Sequence, residues 1–200
     1  MTITVISCLL ISLVYIIAYI FAAKTKTYGM IGHLLKWFLP IPVYFVFFDC
    51  VFNSVGKFAN LFPIPAFVIS GALFIFTVYN TYRELERLHK YQRDNSGFLR
   101  DELIFIAGEV TVNIIVLFAM LNLLIFSMFP NQYTIGKTLS DYELAFEFLY
   151  YSFNATITYS SSSIEAMGII AKLLQMIHVA VFYFYAAGVI FKLLNSNEKQ

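Results

Sequence analysis

Charge is scarce in this chain. Charged residues occupy 12% of the 200 positions, hydrophobic residues occupy 60%, and the formal net charge is +1. Soluble domains carry about 25% charged residues, so the composition excludes an ordinary soluble domain. Nucleic acid is excluded as a partner because its recognition needs a basic surface. The composition predicts an integral membrane protein, with the lipid bilayer as its solvent.

Residues that would support covalent or metal chemistry are equally scarce. The two cysteines, Cys8 and Cys50, both lie in apolar stretches, so a disulfide framework is not expected. The three histidines are far apart in sequence, and the chain has no metal-ligand spacing, phosphate-binding glycine loop or nucleophile motif. We therefore expect no catalytic residues, no metal and no cofactor, and a membrane enzyme is disfavoured.

Long apolar stretches dominate what is present. A helix of about 20 apolar residues crosses a bilayer, and five stretches qualify: residues 2–23, 37–55, 61–82, 103–128 and 167–194. With the N-terminus outside, ten of the Lys and Arg residues fall on the cytoplasmic side and two fall outside. This bias predicts a multi-pass plasma-membrane protein with its C-terminus in the cytoplasm.

The segment between the fourth and fifth stretches is too short to cross. Residues 141–153 are aromatic and weakly acidic, and residues 154–163 form a polar, hydroxyl-rich run. Irregular polar backbone is tolerated at membrane depth only where protein covers it or water lines it. The layout is typical of a re-entrant pore loop and predicts an ion pathway, against the alternative of an extracellular loop. The Asn154 glycosylation sequon is interpreted as coincidental, because it falls at the end of the pore helix.

This segment resembles the pore domain of the tetrameric potassium-channel superfamily. Residues 150–153 match the aromatic end of a pore helix, Thr158 falls on the filter threonine, and residues 171–174 match the start of an inner helix, all without a gap. The resemblance implies an all-α transmembrane fold assembled as a homotetramer. Residues 1–97 would form a three-helix bundle, and residues 98–200 would form the pore domain.

The filter positions depart from the family pattern. Where the family has Val-Gly-Tyr-Gly-Asp, this chain has Tyr159-Ser160-Ser161-Ser162-Ser163. The family glycines allow backbone conformations that aim carbonyls at the ion, whereas serine in such a conformation costs on the order of 1 kcal/mol. We therefore expect a wider, weakly selective passage lined by hydroxyl-bearing residues, namely Thr156, Thr158, Tyr159, Ser160, Ser161, Ser162 and Ser163.

Residues beyond the filter are candidates for the pore mouth and the gate. Glu165 can form an outer carboxylate ring that concentrates cations, or it can be an exposed loop acid. On the inner helix, Phe182 and Phe184 can form a hydrophobic constriction. Gly188 can allow bending, and His178 can sense protons. The alternative for these inner-helix residues is packing against lipid or neighbouring helices.

Two functions follow from this interpretation. The leading one is a tetrameric potassium-channel-like cation channel, whose partners are monovalent cations and the bilayer. The alternative is a non-conducting pore-loop membrane protein that acts as a regulatory or assembly subunit. Loss of both filter glycines favours the alternative, and the position of the serine run between two helix candidates favours the channel.

Overall fold

The computed structural model describes residues 37–38, 40–55, 63–93, 100–136, 138–157 and 163–196. Over these residues the order of elements is α1 (Pro40–Val55), α2 (Pro63–Arg93), α3 (Arg100–Met128), a 3-10 turn (Pro130–Gln132), β1 (Tyr133–Ile135), α4 (Asp141–Ile157), β2 (Ile164–Ala166) and α5 (Ile169–Ser196). The predicted first span, residues 2–23, lies outside the described residues.

Prolines mark three of the helix boundaries. Helices α1 and α2 begin at Pro40 and Pro63, where the missing amide hydrogen is harmless because the first helical turn leaves it unused. Helix α3 ends just before Pro130. The preceding Phe129 has φ −137° and ψ 73°, outside the helical region, as expected for a residue whose helical conformation the proline ring disfavours.

Helix α3 is the central element of the fold. Helices α1, α2, α4 and α5 all pack against it, and 56% of its most apolar window, within Ile104–Met128, is buried. Helix α1 adds Phe47 and Phe48 to the same core, where both rings are fully covered. In lipid such packing is stabilised by close van der Waals contact rather than by expulsion of water, so the fit of side chains around α3 determines the arrangement.

A seam of polar side chains joins α2 to α3. The amide of Asn80 donates to Asn113 Oδ1 at 3.2 Å, and Asn113 in turn donates to the Glu109 carbonyl at 2.9 Å. The Glu84 and Glu109 side chains are also buried. Burying a polar group without a partner is expensive, so this seam favours one alignment of the two helices.

A two-stranded antiparallel ribbon joins the end of α3 to the start of α5. Tyr133 pairs with Ala166, and Ile135 pairs with Ile164. The residues that precede α4 and those that follow it therefore meet at the ribbon. The chain leaves the ribbon after Ile135 and returns to it at Ile164. The all-α expectation omitted this ribbon, because three-residue strands are too short to produce a recognisable alternation of apolar and polar residues.

Gln132 lies beside the ribbon and links it to the start of α5. Its carbonyl accepts hydrogen bonds from the amides of Met167 and Gly168, at 2.9 and 3.0 Å. Its side-chain Oε1 accepts from the Ile170 amide at 3.2 Å. The first amides of a helix have no partner within the helix, so Gln132 caps α5. A Cβ at position 168 would clash with Gln132 Oε1, so the Gln132 side chain would have to move.

Two of the described helices are long and apolar enough to cross a membrane. They are Ile104–Met128, with a mean hydropathy of 2.3, and Ile169–Phe191, with a mean hydropathy of 1.8. Helix α1 contributes a shorter apolar segment, Pro40–Val51. The predicted predominance of helices is confirmed, and the two long apolar helices favour a membrane protein.

Gly168→Ala is expected to lower stability by about 1 kcal/mol, the usual value of one hydrogen bond. The added methyl group displaces the Gln132 side chain and breaks its bond to Ile170. Gln132→Ala should have a similar effect, and the double variant should lose no more than either single variant. Thermal unfolding in detergent measures this.

The control is Gly71→Ala, because a Cβ on Gly71 meets nothing within 4 Å. This control should be neutral or stabilising, as alanine is favoured over glycine inside a helix. Additive losses in the Gly168 and Gln132 double variant would show that the two residues act separately.

Candidate functional site

Helix α4 is the candidate functional element, because it lies between the two membrane-length helices and packs against both. Its 17 residues span about 26 Å at 1.5 Å per residue. The chain from Ile157 to Ile164 can reach at most about 25 Å. The C-terminal end of α4 therefore lies no more than about 25 Å from the start of β2.

The N-terminus of α4 carries a capping box. The Ser140 amide donates to Glu143 Oε2 at 2.8 Å, and the Ser140 hydroxyl donates to the same oxygen at 2.7 Å. The Ser140 carbonyl accepts the first helical bond, from the Leu144 amide at 2.9 Å. A Ser-x-x-Glu pattern favours helix initiation at this point, so α4 begins at a defined residue shortly after β1.

A buried hydrogen-bond network joins α4 to α3 and β1. Asn122 on α3 accepts a hydrogen bond from the Tyr133 hydroxyl, with 2.7 Å between that oxygen and Asn122 Oδ1. Asn122 Nδ2 donates to the Phe118 carbonyl at 2.8 Å and to Ser152 Oγ, on α4, at 3.4 Å. Asn122, Tyr133 and Ser152 are all buried. One amide side chain therefore links three elements.

Aromatic rings surround the tyrosine of this network. The Tyr133 ring packs edge-on against Phe148, with centroids 5.4 Å apart, and against Tyr151 at 6.3 Å. Edge-to-face contact is a favoured geometry for aromatic pairs. Burial, together with the neighbouring Tyr151, raises the pKa of Tyr133, so this hydroxyl stays protonated and remains a donor across the physiological pH range.

Helix α1 contacts the first half of α4. The Tyr44 hydroxyl donates to the Ala145 carbonyl at 2.8 Å, inside the core. The rings of Phe45 and Phe146 lie 4.9 Å apart beside it. Helices α1 and α4 are thus in direct contact through a hydrogen bond and an aromatic pair.

The C-terminal end of α4 differs from the predicted boundary. The helix continues to Ile157, so Thr156 lies in helix rather than in an extended filter, and its buried hydroxyl donates to the Phe153 carbonyl at 2.6 Å. Asn154 is only 6% exposed, which agrees with interpreting its sequon as coincidental. The predicted filter residues Thr158, Tyr159, Ser160, Ser161 and Ser162 lie outside the described residues.

Buried polar atoms flank the serine-rich residues on both sides. The Tyr151 hydroxyl, Asn154 Nδ2 and Ser163 Oγ have no hydrogen-bond partner in the described structure. A buried polar group without a partner is destabilising. These atoms lie at the end of α4 and just before β2, next to the predicted ion pathway. Glu165 is exposed on β2, opposite Thr134.

The gating candidates on α5 lie on different sides of that helix. His178 is 1% exposed and stacks on Phe118 of α3, with ring centroids 4.0 Å apart. Phe182 is half-buried. Phe184 is 82% exposed, and a Cβ on Gly188 would meet nothing within 4 Å. Within the described structure, His178 thus belongs to the α3–α5 packing, while Phe184 and Gly188 face away from the other helices.

Sequence reasoning missed the residues that hold α4. Asn122 is the single polar residue in the run from 114 to 126, and such a residue inside a membrane helix is by default a candidate for a structural or functional role. The Ser140-x-x-Glu143 pattern was a recognisable capping box. The roles of Tyr133 and Gln132 had no local signal, because they depend on partners brought together by the fold.

Comparisons with known proteins add no relative. No protein family, no curated protein and no solved structure matches the chain. The fold and the site define a mostly helical protein in which two described helices can cross a membrane. Between those two helices, α4 is fixed by a ribbon, a capping box and a buried amide.

Ser140→Ala is expected to destabilise α4 by about 1 kcal/mol, the typical value of an N-terminal cap. Thermal unfolding in detergent and hydrogen exchange of the α4 amides measure this. Thr138→Ala is the matched control, since it removes an exposed hydroxyl two residues earlier. Equal effects of the two variants would mean that the capping box contributes nothing.

Proposed function

We propose that this protein is a cation channel of the plasma membrane, with its N-terminus outside and its C-terminus in the cytoplasm. Four copies surround one central passage. Each copy contributes α3, α4, α5 and the residues between α4 and β2. The passage is lined by hydroxyl groups, so it discriminates weakly between potassium and sodium.

The observation that carries this proposal is the arrangement of α4. It is a 17-residue helix between two longer helices that can cross a membrane, and the ribbon brings together the residues that precede and follow it. We infer that α3 and α5 cross the bilayer and that α4 enters it without crossing. A polar run between such helices is tolerated at membrane depth only where protein covers it or water lines it, which supports an ion pathway.

The exposure of α5 supports assembly with other copies. Only 6% of its most apolar window is buried within one chain. Phe184, Met176 and Leu173 are among its exposed large side chains. Lipid can cover one side of such a helix, and neighbouring subunits can cover another. One α4 per chain supplies one wall of a passage, so the resemblance to tetrameric channels supports four copies.

The chemistry of the passage follows from its side chains. Hydroxyl oxygens are ligands for monovalent cations and also donate hydrogen bonds to water. A wider hydroxyl-lined passage lets ions keep part of their hydration shell, so size selection is weak. Exposed Glu165, repeated four times at the outer end, would raise the local cation concentration by its negative charge.

A non-conducting subunit is the second candidate function. The observation that favours it is serine at both filter-glycine positions, Ser160 and Ser162. Such a subunit would use α3 to α5 for assembly, and the contact between α1 and α4 would transmit a signal to a partner. Recording ionic currents separates the two functions.

Purified protein in a planar bilayer is expected to carry cation current between potassium chloride on one side and sodium chloride on the other. Ser161→Trp or Thr158→Trp should abolish the current, because a bulky ring closes a narrow passage. Thr138→Trp is the matched control, as it enlarges an exposed threonine outside the serine run. Silence of folded, inserted wild-type protein across voltage and pH would contradict the channel and favour the non-conducting subunit.

The double variant Ser160→Gly, Ser162→Gly is expected to shift the reversal potential towards potassium selectivity. Glycine permits the backbone conformations that aim carbonyl oxygens at the ion. Bi-ionic reversal potentials measure the permeability ratio directly. Ser163→Gly serves as the control, because it changes a serine that does not align with a filter glycine. An equal shift in the control would show that these two positions have no special role.

A further inference from the structure

We propose that Asn122 is the positioning residue of the ion pathway: by holding Tyr133 and Ser152 at once, it sets where α4 stands against α3 and thereby sets ion selectivity. This assignment rests on the proposed function. It concerns residues that lie outside the serine run.

The geometry of the Asn122 amide makes it suited to this role. Its oxygen accepts from the Tyr133 hydroxyl at 2.7 Å, and its nitrogen donates to the Phe118 carbonyl at 2.8 Å and to Ser152 Oγ at 3.4 Å. The oxygen of the Asn122 amide is thus bonded to β1, and its nitrogen is bonded to α3 and α4. An amide is the side chain that offers both functions on one small planar group.

Burial prevents water from replacing a lost hydrogen-bond partner in this network, because Asn122 is 1% exposed and Ser152 is fully buried. Hydrogen bonds in such low-dielectric surroundings are strong, and an unpaired group there is costly. A displaced α4 would leave polar groups of this network unpaired, so the network favours one position of the helix.

The position of α4 is transmitted directly to the predicted filter. Ser152 lies about 8 Å along the helix from Ile157, at 1.5 Å per residue, and Thr158 follows Ile157 in sequence. The ribbon holds the other end of the serine run through the pair Ile135 and Ile164. A shift of α4 therefore changes the separation of the two ends of the run.

The test uses Tyr133→Phe and Ser152→Ala, which each remove one hydroxyl while keeping the packing shape. Tyr142→Phe is the matched control, since Tyr142 is an exposed tyrosine on α4. Two properties are measured in full-length protein: the bi-ionic reversal potential, and the distance between spin labels at Met128 on α3 and Tyr150 on α4, both exposed positions. Thermal unfolding verifies that each variant is folded.

Both variants are expected to change the potassium to sodium permeability ratio by up to about fivefold, the factor that one ordinary hydrogen bond represents. Both should also shift or broaden the label distance, and the control should change neither property. The double variant should change the ratio no more than the larger single variant, because both hydroxyls act through Asn122.

Three results would overturn the assignment while leaving the channel intact. They are an unchanged permeability ratio in both folded variants, a changed ratio at an unchanged label distance, and a changed distance at an unchanged ratio. A merely structural network would lower the unfolding temperature and the number of active channels but leave the reversal potential alone. Folded wild-type protein without current would instead overturn the proposed function, and this assignment with it.

Discussion

The position of Asn122 within the central helix is the constraint on which the rest of the described structure depends. Helix α3 contacts α1, α2, α4 and α5, and Asn122 is 1% exposed, so its polar group is surrounded by protein. Asn122 can be accommodated there because Tyr133 supplies a donor, while the Phe118 carbonyl and Ser152 supply acceptors. Together with the apolar packing around α3, this network and the Asn80–Asn113 pair favour one register.

Three structural features near the ribbon hold the α4 segment in place. The capping box begins the helix, the ribbon closes the chain behind it, and Gln132 caps the start of α5. Together these interactions limit the position of α4. The Tyr44 hydroxyl, which donates to the Ala145 carbonyl, adds α1 to this set.

Sequence reasoning predicted a short helix over residues 141–153 but not the contacts that hold it. The structure has a helix that begins at Asp141, as predicted, and continues to Ile157. Its C-terminal end was predicted too early, because the polar letters of Asn154 and Thr156 resemble a loop. In the fold these two side chains are buried, and Thr156 bonds to its own helix. Polarity predicted the wrong boundary because a buried helix end can satisfy a hydroxyl locally.

Composition and apolar length by themselves determined that this chain is built from long apolar helices, since each helix satisfies its own backbone hydrogen bonds and needs only about 20 apolar residues to cross a bilayer. Only the tertiary structure decided that a ribbon joins the ends of the α4 segment, that Asn122 meets Tyr133 and Ser152, and that His178 faces α3 while Phe184 faces outward. Those features depend on pairs of residues far apart in sequence. Their energies come from contact and burial, which the local pattern of apolar and polar residues does not contain.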